Sequence, residues 1–310
     1  MRSDVVEAPA AASSGGPRAP GSAAPERSPS RRRRRIRPAM VAVFVLLCVL
    51  AVPFVFPTWW MVTASFKPMS EILRIPPTLW PSSPTAEAYG QVFDLQPFAQ
   101  QYWNSMYIAA LVTVGTIAVS SMAGYAFARI RFPGANLLFG VVLIGLLVPA
   151  EVTIVPLFRL VNWAGLIDTH WPLIVIPIVG APSVLATFIM RQFFLTLPGE
   201  LEEAARMDGL SRAGIFRRIA FPLARPAIAA VAIFTFLHSW NLFLEPLVFL
   251  SSRESFTLPL ALTQYVDAYG GPMWNVQLAA TTLTVLPVLA VFLLAQRQFV
   301  EGLANTGLKG

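Results

Sequence analysis

Residues 191–225 read RQFFLTLPGELEEAARMDGLSRAGIFRRIAFPLAR. Pro198 followed by Glu200, Glu202 and Glu203 marks a helix start. Proline is tolerated where the first N–H groups lack partners anyway, and carboxylates meet the positive end of the helix macrodipole. Leu201, Ala204 and Ala205 fall at i, i+3, i+4 and predict one apolar face. Gly209, directly after Asp208, is placed to end that helix in a left-handed turn. Ser211 can cap a second helix, whose Ile215, Phe216 and Ile219 form an apolar face. Arg217 and Arg218 fall near its C-terminus, and Pro222 is expected to stop it. The stretch thus predicts a short helix, a turn and another short helix.

On either side of this charged island the chain is apolar. Of its 310 residues 55% are hydrophobic and only 13% charged, with mean hydropathy +0.62. Soluble domains carry about 25% charged residues, so an ordinary soluble enzyme is excluded. Six segments are long and apolar enough to cross a bilayer as helices: roughly 40–64, 104–128, 137–158, 171–190, 226–250 and 277–296. None contains Lys or Arg. Residues 40–310 are therefore read as an all-α, six-span membrane domain with residues 191–225 as its largest inside loop. Prolines within the spans are read as tolerated kinks.

Residues 1–39 are read as a disordered Arg-rich tail, because their Ala, Pro, Ser and Gly content cannot bury enough apolar surface to offset ordering entropy. The tail holds nine Arg against three acids, and so accounts for nearly all of the net charge of +7. Basicity confined to a tail does not mark a nucleic-acid binder. With the N-terminus inside, 19 of the 23 basic residues lie in inside segments; Lys67, Arg74, Arg159 and Arg253 lie outside. The positive-inside rule then places both termini in the cytoplasm. In the long outside loop 65–103, Thr85 can cap a short helix with Tyr89, Val92 and Phe93 on one face. The loop's aromatic residues suggest a folded cap.

No reaction centre is visible. Cys48 is the single cysteine, His170 and His238 stand far apart, and neither lysine lies in a GxxxxGK[ST] context. The chain has no P-loop, no GxSxG elbow and no metal-ligand cluster. It is read as binding no cofactor itself.

The run Glu203-Ala204-Ala205, three residues, Gly209, nine residues, Ile219, one residue, Phe221, Pro222 resembles the EAA motif of ABC importer permeases, with Phe221 where that pattern has Leu. Further stretches resemble the carbohydrate-importer permeases of the maltose-permease kind: SFKP and PPTLWPSSPT after the first span, AGYAFARIRFPG at 123–134, VPAEVTIVPLF at 148–158, SWN at 239–241 and QRQFVEGLANTGLKG at 296–310. After SWN that family often has an acid, where this chain has Leu242 and only later Glu245.

The resemblance implies a type I permease bundle in a bacterial plasma membrane. It also implies a sugar imported by alternating access and a second permease subunit in a heterodimer. A cytoplasmic ABC ATPase dimer would carry ATP and Mg, and an extracytoplasmic sugar-binding protein would meet loops 65–103 and 251–275. The chain would then be no enzyme. Its docking surface for the ATPase would comprise Glu203, Ala204, Ala205, Asp208, Gly209, Ile219 and Pro222. Polar residues inside spans are expensive in lipid and point to function. They make Glu151, Ser239, Trp240, Asn241 and Glu245 the candidate substrate pathway, against a plain role in interhelical hydrogen bonding. The competing reading is a secondary transporter or channel subunit driven by an ion gradient, with Glu151 and Glu245 as proton or sodium sites.

Overall fold

A computed structural model describes residues 38–307, with side chains from Met40 to Leu293 apart from Ala150. The tail reading over 1–39 thus falls almost wholly outside the described residues. The chain divides into two units, one ending at Val52 and the other beginning at Pro53. The described part of the first is an apolar helical stretch whose side chains from Met40 to Val52 are all exposed, as suits lipid surroundings.

The helices run in order α1 (Pro38–Ala64), α2 (Met69–Ile72), α3 (Glu87–Leu95), α4 (Phe98–Arg129), α5 (Ala135–Ile144), α6 (Ala150–Trp163), α7 (Trp171–Val179), α8 (Ala181–Thr196), α9 (Gly199–Met207), α10 (Arg212–Ile215), α11 (Phe221–Leu223), α12 (Arg225–Trp240), α13 (Leu244–Phe249), α14 (Leu258–Leu262) and α15 (Trp274–Gly307). No named strand occurs among the described residues; Val266 and Pro272 form one isolated bridge. Four spans are long and apolar enough to cross a membrane without a sharp bend. Two bent helix pairs bring the number to six if each pair counts as one span.

Two expected spans are corrected. The segment 137–158 is interrupted where Val148 turns extended ahead of Pro149, because a residue before proline is pushed out of the helical region. Glu151 therefore lies in the first turn of α6 rather than mid-span. The segment 226–250 is not one helix either. It ends at Trp240, and residues 241–243 separate it from α13. The 16 residues of α12 supply about 24 Å of helix, less than the ~30 Å hydrocarbon core, and α12 is bent 75° against the helical run preceding it.

Helix α4 is the centre of the second unit, packing on α7, α8 and α12. Its approach to α8 depends on Gly124: a Cβ there would stand 2.8 Å from the Met190 Cβ and 2.9 Å from the Arg191 nitrogen. Tyr125, Met190, Phe194, Ala220, Ala224 and Val231 close the core at this end.

At the opposite end α4 holds the loop before α14. The Asn104 amide donates to the carbonyls of Glu254 (2.7 Å) and Phe256 (3.1 Å), and Gln101 donates to that of Arg253 (3.0 Å). The Ser105 hydroxyl accepts from the Leu258 N–H (2.7 Å). His170 Nε2 donates to the Ser255 carbonyl (2.7 Å), leaving Nδ1 to accept from the Tyr107 hydroxyl. Asp168 Oδ1 accepts from the N–H groups of Ser251 (2.9 Å) and Ser252 (3.0 Å). Burial pushes the Asp168 carboxyl up, but these bonds and the hydroxyls of Ser252 and Ser255 outweigh it and hold it below its ordinary value.

The region 65–97 is a folded cap, as its aromatic content suggests. Glu71 accepts from the Thr78 hydroxyl (2.6 Å), the Ser82 N–H (2.9 Å) and the Ser82 hydroxyl (3.1 Å). These bonds, Thr78 first, keep its carboxyl below the ordinary value despite burial, with Lys67 adding a small pull. The Lys67 ammonium lies 4.4 Å from the Trp60 ring centre and donates to the Thr78 carbonyl. Thr85 sits one residue before the N-cap of α3 and accepts from the Glu87 N–H (3.2 Å). Val92 and Ala88 face inward, whereas Phe93 stays exposed, so the expected apolar face is rotated. Trp80, Trp103, Trp163, Trp171 and Trp274 are exposed, and all belong to this end. Exposed tryptophans of this kind are what membrane interfaces favour.

Candidate functional site

Helix α9 ends as its sequence predicts. The Leu210 N–H bonds to the Ala205 carbonyl and the Gly209 N–H to that of Arg206, both at 3.0 Å. This is a Schellman closure. Gly209 has φ +81°, the left-handed region where a side chain is strained. Ser211 then caps α10, its hydroxyl accepting from the Gly214 N–H (3.2 Å).

The second helix does not stop at Pro222. Residues 216–220 widen into a π-turn, and the run continues through Phe221–Leu223. A proline inside an α-helix lacks a donor and clashes with the carbonyl four residues back. The wider turn, in which the Phe221 N–H reaches the Phe216 carbonyl, accommodates it. Phe216 thereby enters an aromatic cluster, with ring centres 5.2 Å from Tyr125, 6.4 Å from Phe194 and 5.8 Å from Phe221. The loop is packed onto α4 and α8 through these rings.

The expected face of α9 is corrected. Leu201 and Ala204 are exposed; Glu202 and Ala205 are buried. Glu202 pairs with Arg129 (3.4 Å), at the end of α4, and with Arg206 (3.5 Å), one turn on. Arg129 also donates to the Leu197 carbonyl at the end of α8. A carboxylate is buried in preference to leucine here because a guanidinium from another helix waits for it. Glu202 was not among the candidates. Its i, i+4 spacing to Arg206 was the available signal, while Arg129 is distant in sequence.

Of the seven docking candidates, Glu203, Ala204, Asp208, Gly209 and Pro222 are exposed, Ile219 is half-buried and Ala205 is buried. Exposed Leu201 and 89%-exposed Met207 add apolar surface to α9. The helix pair thus offers carboxylates beside small and apolar side chains, while its inner side is fixed by an ion pair and aromatic packing.

The pathway candidates do not converge. Trp240 is 2% exposed, stacked on Phe236 (5.5 Å) and edge-on to Tyr102 (6.0 Å). As a pathway candidate Trp240 is corrected: it is packed inside the core, with Phe236 in the same cluster and Tyr102 against it. Asn241 caps α12, its amide donating to the Leu237 carbonyl (2.8 Å). The Ser239 hydroxyl is buried without a hydrogen-bond partner among the described residues. Glu151 is exposed, and Glu245 is half-buried in the first turn of α13, which packs on α6. No group of three or more His, Cys, Asp or Glu able to hold a metal occurs among the described residues.

Residues 117–305 match the family described as binding-protein-dependent transport system inner membrane component. The arabinooligosaccharides transport system permease protein AraQ of Halalkalibacterium halodurans is 40% identical over 262 residues, covering 83% of this chain and 91% of that protein. AraQ of Bacillus subtilis is 37% identical, covering 87% and 96%. The sn-glycerol-3-phosphate transport system permease protein UgpE of Yersinia enterocolitica is 33% identical, covering 84% and 95%. Among solved structures, a chain of a bacterial ABC transporter involved in import of the acidic polysaccharide alginate superposes with a TM-score of 0.72 at 23% identity, over 89% of this chain and 100% of that one.

Proposed function

The chain belongs to the binding-protein-dependent transport system inner membrane component family, and on that premise we propose that it carries a neutral sugar or short oligosaccharide into a bacterial cell. As a member it is the multi-pass permease subunit of an ABC importer, with ATP hydrolysis assigned to a separate subunit. Membership in a binding-protein-dependent family sets aside the reading as an ion-driven transporter.

The observation that carries the mechanism is the two-sided α9–α10 unit. Its outer side presents Leu201, Glu203, Ala204, Met207 and Asp208 around the Gly209 turn, and in our reading this side docks on the cytoplasmic ATPase. Its inner side is clamped to α4 and α8 by Glu202–Arg129 and by Phe216. ATP and Mg bound by the ATPase dimer drive its closure. The docked unit then moves as a body and pulls the end of α4 with it, converting closure into alternating access. In this reading the loop end and both termini face the cytoplasm. The opposite end, including the turn whose tip is the exposed Tyr269, meets the sugar-binding protein. A second, different permease subunit completes the translocation path.

The sugar reading rests on the AraQ relatives, whose names state arabinooligosaccharides, and on the scarcity of basic residues at the opposite end. It is tested by ATP-driven uptake into proteoliposomes holding the complete transporter and its receptor. Labelled arabinooligosaccharides are expected to accumulate. Accumulation of glycerol 3-phosphate instead would overturn the cargo assignment.

A further inference from the structure

The loop end contains a cavity of about 740 Å³ between the end of α4, the start of α5, α8 and α9. Five arginines line it, Arg129, Arg131, Arg191, Arg206 and Arg212, against two acids, Glu202 and Glu203. Glu202 meets Arg129 and Arg206. Arg191 lies over the Phe139 ring, 4.3 Å from its centre, and donates to the Phe127 carbonyl (3.4 Å). The lining therefore carries a net +3, and Arg191, Arg131 and Arg212 are the three of its cations that meet no carboxylate among the described residues.

The position of the cavity limits what fills it. It lies where the spans end, and its wall continues into α5, whose Leu137, Leu138, Val141 and Ile144 are exposed. A soluble anion would use the arginines alone. An anionic phospholipid would use both features, with its phosphate among the guanidiniums and its acyl chains along α5. Guanidinium groups suit phosphate oxygens, and basic pockets between spans favour anionic head groups. We propose that this cavity binds the phosphate headgroup of an anionic phospholipid and so ties the α9–α10 unit to the membrane surface. The proposal requires only that this end of the bundle lie at a membrane face, not that the chain carry sugar.

The test titrates the complete, delipidated transporter in neutral detergent with phosphatidylglycerol and, separately, with phosphatidylcholine, reading bound lipid by native mass spectrometry. Phosphatidylglycerol is expected to bind preferentially. The double variant Arg131→Gln/Arg212→Gln is expected to weaken it roughly twentyfold. The charge-matched Arg217→Gln/Arg218→Gln, outside the cavity, is expected to change it less than about twofold. If the double variant does not assemble, each single variant is expected to weaken binding roughly fivefold. Equal binding of phosphatidylcholine, an equal loss in the charge-matched variant, or unchanged affinity in the cavity variants would overturn the proposal. So would displacement by millimolar inorganic phosphate, which would assign the cavity to a soluble anion. Loss of the ATPase with lipid binding intact would assign these arginines to a protein contact and equally overturn it.

Discussion

The two ends of the bundle spend their polar residues in opposite ways. At the end bearing loop 251–258, Asn104, Gln101, Ser105 and His170 are turned inward on backbone carbonyls and N–H groups of the same chain. At the end bearing α9 and α10, one carboxylate, Glu202, is turned inward, and most of the motif stays outward. The first arrangement fixes a platform. The second is fixed against its own bundle and exposed on its outer side, which in the reading proposed above is half of an interface.

The largest expected effect lies on the outward face. In Gly209→Asp the added Cβ meets no atom within 4 Å, so the main expected cost to folding is left-handed backbone strain of about 1–2 kcal/mol. It nevertheless places a new carboxylate at the turn. ATP-driven uptake is expected to be abolished while membrane levels, read by immunoblot, stay near normal. Normal uptake would erase the contrast between the two ends.

Next is the inner clamp. Arg129→Met leaves Glu202 with only the more exposed Arg206 and is expected to destabilise the protein by about 3 kcal/mol, measured by denaturation in detergent. Adding Glu202→Leu should recover part of that loss, and a double-mutant cycle isolates the coupling.

At the opposite end, Asn104→Leu strips a donor from the carbonyls of Glu254 and Phe256. It is expected to cost about 1–3 kcal/mol by the same measurement, with ATPase docking intact.

The smallest effect is pH-dependent. The Asp168 carboxyl is held below its ordinary value, so its contribution is present above the unfolded value of about 3.9 and is lost as pH falls through the lower folded value. The stability gap between wild type and Asp168→Asn is therefore expected to be constant from neutral pH to about 5 and to vanish on further acidification. A gap that grows with acid would contradict the assignment.

What the sequence made legible is what local chemistry governs. Gly209 ends α9 and Ser211 caps α10 because both act within a few residues of themselves. The apolar stretches mark where spans run for the same reason. Contacts between distant segments decided the rest. Glu202 rather than Glu203 turns inward because Arg129 stands at the end of α4. Trp240 is core because Tyr102 and Phe236 close over it. Pro222 read as a stop, but a π-turn absorbs it, and that turn is held by the packing of Phe216 on Tyr125. Val148 and Pro149 were readable as a break in principle, since proline restricts its predecessor, but the surrounding hydropathy concealed it.

The outward face of α9 can be examined directly. In a chain whose one cysteine is removed by Cys48→Ser, Met207→Cys puts a thiol on that face, and a bifunctional crosslinker is applied to membranes during ATP-driven import. The account predicts covalent capture of the ATPase subunit, with a yield that changes between the ATP-bound and nucleotide-free states. Absence of any ATPase adduct while import proceeds would contradict it.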